Sequence, residues 1–177
     1  MGRKSVRFVI DLVQVFVIAF LLSMVIRTYV VEARIVPTES MVPTIQVGDR
    51  LMFDKVFYKI TDVNRFDIVM FDPPEAAQNV GDQFYVKRII GLPGDTVQVI
   101  FKEQEREYLG TYVNGEKLTE TYLGSEPNYN YPPTVVPDGM LFVLGDNRAH
   151  SYDSHMWGFL PMENLKGKLL FRFYPWR

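Results

Sequence analysis

The chain has 177 residues with 47% hydrophobic and 14% aromatic content, which suits one domain with a core, alone or with a membrane anchor. A formal net charge of -2 argues against a nucleic-acid partner, because binding to phosphates needs a basic face. The chain has no cysteine, which excludes disulfides and thiol catalysis, and its two histidines lack metal-ligand spacing, so neither a metal nor another cofactor is predicted.

A basic N-terminus leads into an apolar stretch over residues 8–26. This length fits a spanning helix, which needs about 17–25 residues, and we assign the anchor to residues 8–29. Basic residues tend to stay on the cytoplasmic side. We therefore predict a single pass, with residues 1–7 cytoplasmic and residues 30–177 extracytoplasmic.

The alternative for this stretch is a secretory signal cleaved near Val31-Glu32-Ala33. A retained anchor is favoured because the apolar segment is long for a signal, and no small-x-small tripeptide follows it closely.

The rest of the chain shows the pattern of short strands and turns. Strands are predicted over residues 51–53, 67–71, 83–91, 96–101, 140–144 and 168–174. The Asn114-Gly115 pair predicts a hairpin, residues 161–165 one helical turn, and residues 121–137 a surface excursion. The predicted fold class is mostly β: one transmembrane helix, then an all-β domain of antiparallel sheets in a barrel- or sandwich-like arrangement.

The loop over residues 36–45 combines two restricting prolines, Pro37 and Pro43, with the hydroxyls of Thr38 and Ser40. Ser40 is the candidate nucleophile. Taken alone, this loop is more simply explained as a polar connector between the anchor and the domain.

Two basic residues, Lys87 and Arg88, lie on opposite faces of the strongest predicted strand. If those faces are buried, Arg88 needs a carboxylate partner, because arginine stays charged. Burial favours the neutral amine of a lysine, and a neutral Lys87 could act as general base for a serine hydroxyl. The alternative is an edge-strand lysine that reaches water and deters aggregation.

A second polar cluster covers residues 145–158 and holds both histidines. Dense polar loops after an apolar strand often carry function, although such a loop can also be a turn satisfied by its own side chains. A Ser-His-Asp site is also formally possible, because such sites depend on geometry and not on sequence order. Its members would be Ser40, His150 or His155, and Asp146 or Asp153.

Four blocks of sequence occur together in one order: residues 37–44, 48–51, 85–95, and 145–148 with Ser151, Asp153, Ser154 and Gly158. In these blocks the chain resembles the bacterial type I signal peptidases, membrane-bound Ser/Lys endopeptidases that remove signal peptides. The single anchor and compact middle resemble the short, Gram-positive-like members. The resemblance implies a β catalytic core with a small β insertion, placed approximately at residues 101–137.

The resemblance also implies roles for individual residues. Ser40 would be the nucleophile and Lys87 its general base. The Ser40 N–H and the Thr38 hydroxyl would form the oxyanion hole. Ser151 would orient the Lys87 amine. The remaining supporting residues would be Asp146, which pairs with Arg88, and Asp153, which supports the loop of Ser151.

The implied substrates are preproteins that carry signal peptides, delivered at the bilayer and near the secretion translocon. An extended substrate could pair with the strand around Lys87. Shallow pockets for small side chains would be lined by Val36, Pro37, Met41, Ile45, Tyr85 and Val86. Aromatic residues could rest on lipid headgroups or belong to the core: Phe57, Tyr58, Trp157, Phe159 and Trp176.

Two positions depart from the family pattern. His155 stands where the family usually has arginine, so the partner of Asp153 could be a pH-sensitive imidazole. Glu39 occupies a position more often filled by a small residue, and we expect its carboxylate to point to solvent, away from Lys87.

Two other functions were weighed. A membrane-anchored assembly or binding module without catalysis would be expected if Ser40 or Lys87 were missing, and both are present. A self-cleaving Ser/Lys regulator of transcription would need a DNA-binding domain in place of the anchor, and residues 1–35 offer no helix-turn-helix pattern.

Overall fold

The computed structural model describes residues 2–56, 58, 60–80 and 84–175. Its first element is helix α1, Arg3–Val25, which continues as a π-helical turn, Ile26–Val30, and then directly as strand β1, Val31–Ile35. Residues Arg7–Val30 are long and apolar enough to span a bilayer. Apart from the half-buried Val30, the side chains of this span are exposed, as expected for a helix that faces lipid.

The junction between the helix and β1 is held by the domain itself. The backbone N–H of Lys55 donates to Val30 O at 2.8 Å, and Lys55 Nζ donates to Thr28 O at 3.2 Å. Lys55 also forms an ion pair with Glu32 of β1. The end of the anchor is therefore bonded to the residue that follows strand β2, Arg50–Asp54.

The main body is a seven-stranded antiparallel sheet with the strand order β1-β2-β11-β3-β4-β9-β10. After β1 its strands are β2 (Arg50–Asp54), β3 (Ile68–Phe71), β4 (Tyr85–Gly91), β9 (Met140–Leu144), β10 (Leu160–Pro161) and β11 (Leu165–Tyr174). Short helical segments cover Glu75–Val80, Arg148–His150 and Met162–Asn164, and helix α2 covers Ser154–Trp157.

Strand β4 lies between β3 and β9, and every one of its residues is buried. Its alternating side chains enter different apolar clusters. Tyr85 and Ile89 join one, Val86 joins a second around Met41 and Ile45, and Ile90 joins a third. Because both faces of β4 are covered, its two basic residues must be neutralised inside the protein.

The smaller sheet has four antiparallel strands in the order β7-β6-β5-β8. These are β5 (Thr96–Lys102), β6 (Glu107–Val113), β7 (Glu116–Lys117) and β8 (Tyr131–Val135). Asn114 and Gly115 both have positive φ and form the predicted hairpin between β6 and β7. Val97 and Val113 of this sheet pack with Phe142 of the main sheet in the third cluster.

The mostly β fold class, with an N-terminal apolar helix and antiparallel sheets, is confirmed. The structure contains several strands that were not predicted: β1, most of β6, β8 within residues 121–137, and the two-residue β10. The small sheet begins at Thr96, before the approximate insertion boundary at residue 101. The predictions for Gln83, Phe57 and Trp176 lie outside the described residues, and Trp157 belongs to the core.

Candidate active site

Residues 40–44 form a compact turn that holds Ser40. Val42 N–H donates to Glu39 O at 3.1 Å, and Ile45 N–H donates to Met41 O at 2.9 Å. Met41 and Ile45 are buried in the second apolar cluster. Burial of Met41 and Ile45 therefore holds the turn against the core. Ser40 itself is 7% exposed.

Ser40 meets Lys87 of strand β4. Lys87 Nζ lies 2.6 Å from Ser40 Oγ, and Thr38 Oγ1 lies 3.3 Å from the same oxygen. Lys87 is 4% exposed, and taking an ammonium group out of water disfavours its charged form. The geometry therefore joins a hydroxyl to a buried amine that can accept its proton.

Arg88, on the opposite face of β4, has the carboxylate partner that its burial requires. Its Nε and Nη2 donate to the two oxygens of Asp146 at 2.8 and 2.6 Å, a bidentate pair with Asp146 fully buried. Thr44 Oγ1 donates to Asp146 Oδ2 at 2.5 Å. This pair connects β4, the Ser40 turn and the loop after β9.

Ser151 corrects one expectation. It is buried, but its Oγ has no hydrogen-bond partner in the part of the chain that the structure describes, so the expected bond to Lys87 is not formed. A Cβ on Gly145 would lie 2.3 Å from Ser151 Oγ and 2.4 Å from Ser40 O. The hydroxyl is thus packed against the Gly145 backbone, close to the Ser40 turn.

Asp153 pairs with His155, one of the two residues that depart from the family pattern. Its Oδ1 lies 2.7 Å from His155 Nδ1, and its Oδ2 accepts the Gly145 N–H at 2.9 Å. The His155 ring stacks on Tyr129 at a centroid distance of 3.8 Å. An imidazole therefore takes the place of the usual arginine beside Asp153, and the carboxylate still supports the loop.

A cleft of about 180 Å³ opens beside Ser40 and Lys87. It is lined by Val36, Pro37, Thr38, Glu39, Ser40, Met41, Phe84, Tyr85, Val86, Lys87, His150 and Tyr152. Five of the six predicted pocket residues are present. Ile45 does not line this cleft and packs in the second apolar cluster.

Glu39 is exposed, as expected, and no hydrogen bond joins its carboxylate to Lys87 among the described contacts. Sequence reasoning missed Tyr152 and considered His150 only as a base. The polar density of residues 145–158 was the available signal for both.

The described contacts do not support a Ser-His-Asp site. Within residues 2–56, 58, 60–80 and 84–175, neither histidine is hydrogen-bonded to Ser40. His150 contacts Asn147, and His155 contacts Asp153. Asp146 is occupied by Arg88.

A second buried ion pair stands behind the site. Arg148 pairs with Glu120 and donates to Thr111 Oγ1 at 2.9 Å, while Tyr108 and Tyr122 donate to the Glu120 carboxylate at 2.7 and 2.9 Å. Burial raises the pKa of Glu120, but the Arg148 guanidinium and these hydroxyls outweigh burial and hold that pKa below its ordinary value. Sequence reasoning missed this pair.

We predict that Glu120→Gln makes stability less dependent on acid pH. The pKa of Glu120 is lower in the folded chain than its ordinary 4.5. Ionised Glu120 therefore stabilises the folded state above pH 4.5, and this stabilisation is lost as pH falls through the folded pKa. The measurement is Tm in detergent micelles between about pH 3 and pH 7. Glu120→Gln should unfold at a lower Tm near neutral pH and lose less Tm on acidification.

The matched control for this prediction is Glu105→Gln, since the Glu105 side chain is 59% exposed. Its Tm profile should follow that of the unmodified chain. A Glu120→Gln profile parallel to the unmodified one would contradict the assignment.

The sequence is similar to known proteins along nearly its whole length. Residues 9–176 match the family described as "Signal peptidase, peptidase S26". A "Probable signal peptidase I-2" of Synechocystis sp. is 47% identical over 168 residues, covering 94% of this chain and 73% of that protein. "Signal peptidase IB" of Staphylococcus aureus is 33% identical over 186 residues, covering 99% and 92%. A crystal structure of a signal peptidase I from Enterococcus faecalis is 33% identical with a TM-score of 0.49, covering 62% of this chain and 98% of that one.

Proposed function

The chain belongs to the signal peptidase S26 family and is a serine endopeptidase that cleaves signal peptides from preproteins. Within that activity we propose that Ser40 is the nucleophile and Lys87 the general base. The observation that carries this assignment is the distance of 2.6 Å between Lys87 Nζ and Ser40 Oγ in a buried setting. This distance is within the reach that proton transfer needs.

The reaction proceeds through an acyl-enzyme. Ser40 Oγ attacks the scissile carbonyl carbon while Lys87 Nζ takes the hydroxyl proton. Collapse of the tetrahedral intermediate breaks the peptide bond, and the leaving amine takes a proton from Lys87. Lys87 then removes a proton from the water that releases the signal peptide.

The oxyanion of the tetrahedral intermediate is bound by the Ser40 N–H and the Thr38 hydroxyl. Among the described residues, no hydrogen bond uses the Ser40 N–H as donor, and Thr38 Oγ1 lies beside Ser40 Oγ. The Arg88–Asp146 pair and the bond from Gly145 N–H to Asp153 hold the surrounding loops.

The substrate lies extended in the cleft beside β4. Val36, Pro37 and Met41 line it from the Ser40 side, and Tyr85 and Val86 line it from β4. The small volume, about 180 Å³, and the apolar lining suit the small residues that precede a signal-peptide cleavage site.

The chain is membrane-anchored through its apolar helix, and we assign a single pass with residues 1–7 cytoplasmic, 8–29 in the bilayer and 30–177 outside. The basic residues that precede the apolar stretch support this orientation. Catalysis then takes place at the outer bilayer face, close to lipid headgroups and the secretion translocon, where preproteins emerge.

Cleavage of a preprotein in detergent micelles distinguishes the assignment of Lys87 as general base from the alternative in which a histidine is the base. His150→Ala and His155→Ala should each keep at least about a tenth of the activity, because neither ring is hydrogen-bonded to Ser40 among the described residues. The cleavage rate of Ser40→Ala should fall to the uncatalysed background. Loss of cleavage in a histidine variant equal to that in Ser40→Ala would favour the Ser-His assignment instead.

A further inference from the structure

A short segment of the connection from β7 to β8, residues 120–125, reaches the Ser40 turn. Gly124 N–H donates to Asp146 O at 2.9 Å, and a Cβ on Gly124 would lie 2.1 Å from Val42 O. Ser125 forms an isolated parallel bridge with Asn147. The segment therefore packs directly on the backbone of the site.

Ser125 determines how the Asn147 side chain is oriented. Ser125 Oγ accepts the Ala149 N–H at 3.0 Å, which leaves its own proton to be donated to Asn147 Oδ1 at 2.6 Å. His150 Nδ1 lies 3.3 Å from the same oxygen. With Oδ1 held by these groups, the Asn147 amide nitrogen faces the Ser40 turn.

Asn147 bonds to two successive carbonyls of that turn. Its Nδ2 donates to Glu39 O at 3.1 Å, and its backbone N–H donates to Ser40 O at 3.0 Å. The Glu39 carbonyl and the Ser40 N–H belong to one planar peptide unit. Fixing the direction of Glu39 O therefore fixes the direction of the Ser40 N–H.

We propose that Ser125 and Asn147 are positioning residues that aim the Ser40 N–H at the oxyanion. This inference rests on the proposed role of that N–H. An oxyanion donor acts by being held in place before the reaction. The bond to Glu39 O also polarises the same peptide and strengthens its N–H as a donor. Neither Ser125 nor Asn147 touches the substrate in this role.

The test is the effect of Ser125→Ala on kcat and KM for a preprotein in detergent micelles. The kcat should fall by about tenfold, the loss of one hydrogen bond, and KM should change by less than about twofold, since the cleft lining is intact. Ser125→Thr keeps the hydroxyl and should restore kcat. Thr134→Ala, which removes a hydroxyl bonded to Pro132 O in the small sheet, is the matched control and should keep kcat.

Asn147→Asp provides a second route should Ser125→Ala fold poorly. The isosteric carboxylate loses the Nδ2 donor to Glu39 O, so kcat should fall at least as far as in Ser125→Ala. Unchanged kcat in both variants would overturn the inference. So would a rise in KM at constant kcat, or a lower kcat that Ser125→Thr does not restore.

A thiol in place of the Ser40 hydroxyl distinguishes two possible effects of Ser125→Ala: a misdirected backbone N–H at position 40, and a displaced nucleophilic atom. The chain has no cysteine, so Ser40→Cys introduces a single thiol. Alkylation by iodoacetamide is a displacement at carbon without an oxyanion. Adding Ser125→Ala to Ser40→Cys should therefore leave the alkylation rate unchanged. A rate that falls as far as kcat would show that the segment positions Oγ, and would overturn the oxyanion assignment.

The failure of this inference is distinct from failure of the proposed function. If Ser40→Ala still cleaved the preprotein, the nucleophile assignment itself would be lost. If Ser40→Ala is inactive while Ser125→Ala and Asn147→Asp retain full kcat, only the positioning role is lost.

Discussion

Lys87→Met should lower kcat for preprotein cleavage by about 10²–10⁴-fold, the usual contribution of a positioned general base. Methionine keeps most of the volume of the lysine stem at a site that is 4% exposed, so the fold should persist. What is lost is the amine 2.6 Å from Ser40 Oγ. KM should change little, because the apolar lining of the cleft is unchanged.

The matched control is Lys102→Met, a lysine in the small sheet whose side chain is 45% exposed. It should cleave at the rate of the unmodified chain. In the Ser40→Cys background, Lys87→Met should also slow alkylation of the thiol, because the amine no longer accepts its proton. Full cleavage activity in Lys87→Met would remove Lys87 from the mechanism.

Asp146→Ala should lower the free energy of unfolding by about 3–5 kcal/mol, the typical effect of removing one partner of a buried ion pair. The fully buried Asp146 receives two hydrogen bonds from Arg88 and one from Thr44. Without the carboxylate, the guanidinium of Arg88 remains buried and charged. Denaturant unfolding of the full chain in detergent micelles measures the loss.

Asp72→Ala is the control for this prediction, since it breaks an ion pair with Lys166 in which both side chains are about half exposed. Its effect should be about 0–1 kcal/mol. The double variant Arg88→Met/Asp146→Leu removes both charges and should recover part of the stability. Equal losses in Asp146→Ala and Asp72→Ala would contradict the structural role of the Arg88 pair.

The main features of the site could be predicted from local sequence because they follow from burial. Alternation along β4 put a basic residue on each apolar face, and the need to neutralise Arg88 called for a carboxylate partner. The choice of Asp146 came from the family resemblance, and Asp146 does accept hydrogen bonds from Arg88. The Ser40 and Lys87 assignment came from the family resemblance added to this pattern. The distance between their reactive atoms required the fold.

The elements that were missed have weak local signals for physical reasons. Strand β8 contains Pro132 and Pro133, which weaken a strand pattern but are tolerated at a sheet edge, where β8 lies. Strand β1 is also an edge strand and carries the charged residues Glu32 and Arg34.

The contacts behind the site could not be read from sequence either. Glu120 meets Arg148, and Ser125 meets Asn147, each across more than twenty residues of chain. The local hydrophobic periodicity of a sequence carries no information about contacts between residues this far apart in the chain.

The uninterrupted passage from helix α1 through Ile26–Val30 into β1 has a geometric consequence for catalysis. Val30 and Thr28 are hydrogen-bonded to Lys55, and β1 is paired along its length with β2. The segment from the anchor helix to the end of β1 is therefore held against the domain and is not a flexible linker. With Ser40 as the proposed nucleophile and the proposed single-pass topology, the scissile bond would be presented at one fixed height above the membrane. Selection of a cleavage position then depends on how far a preprotein protrudes from the lipid, in addition to the side chains that fit the cleft.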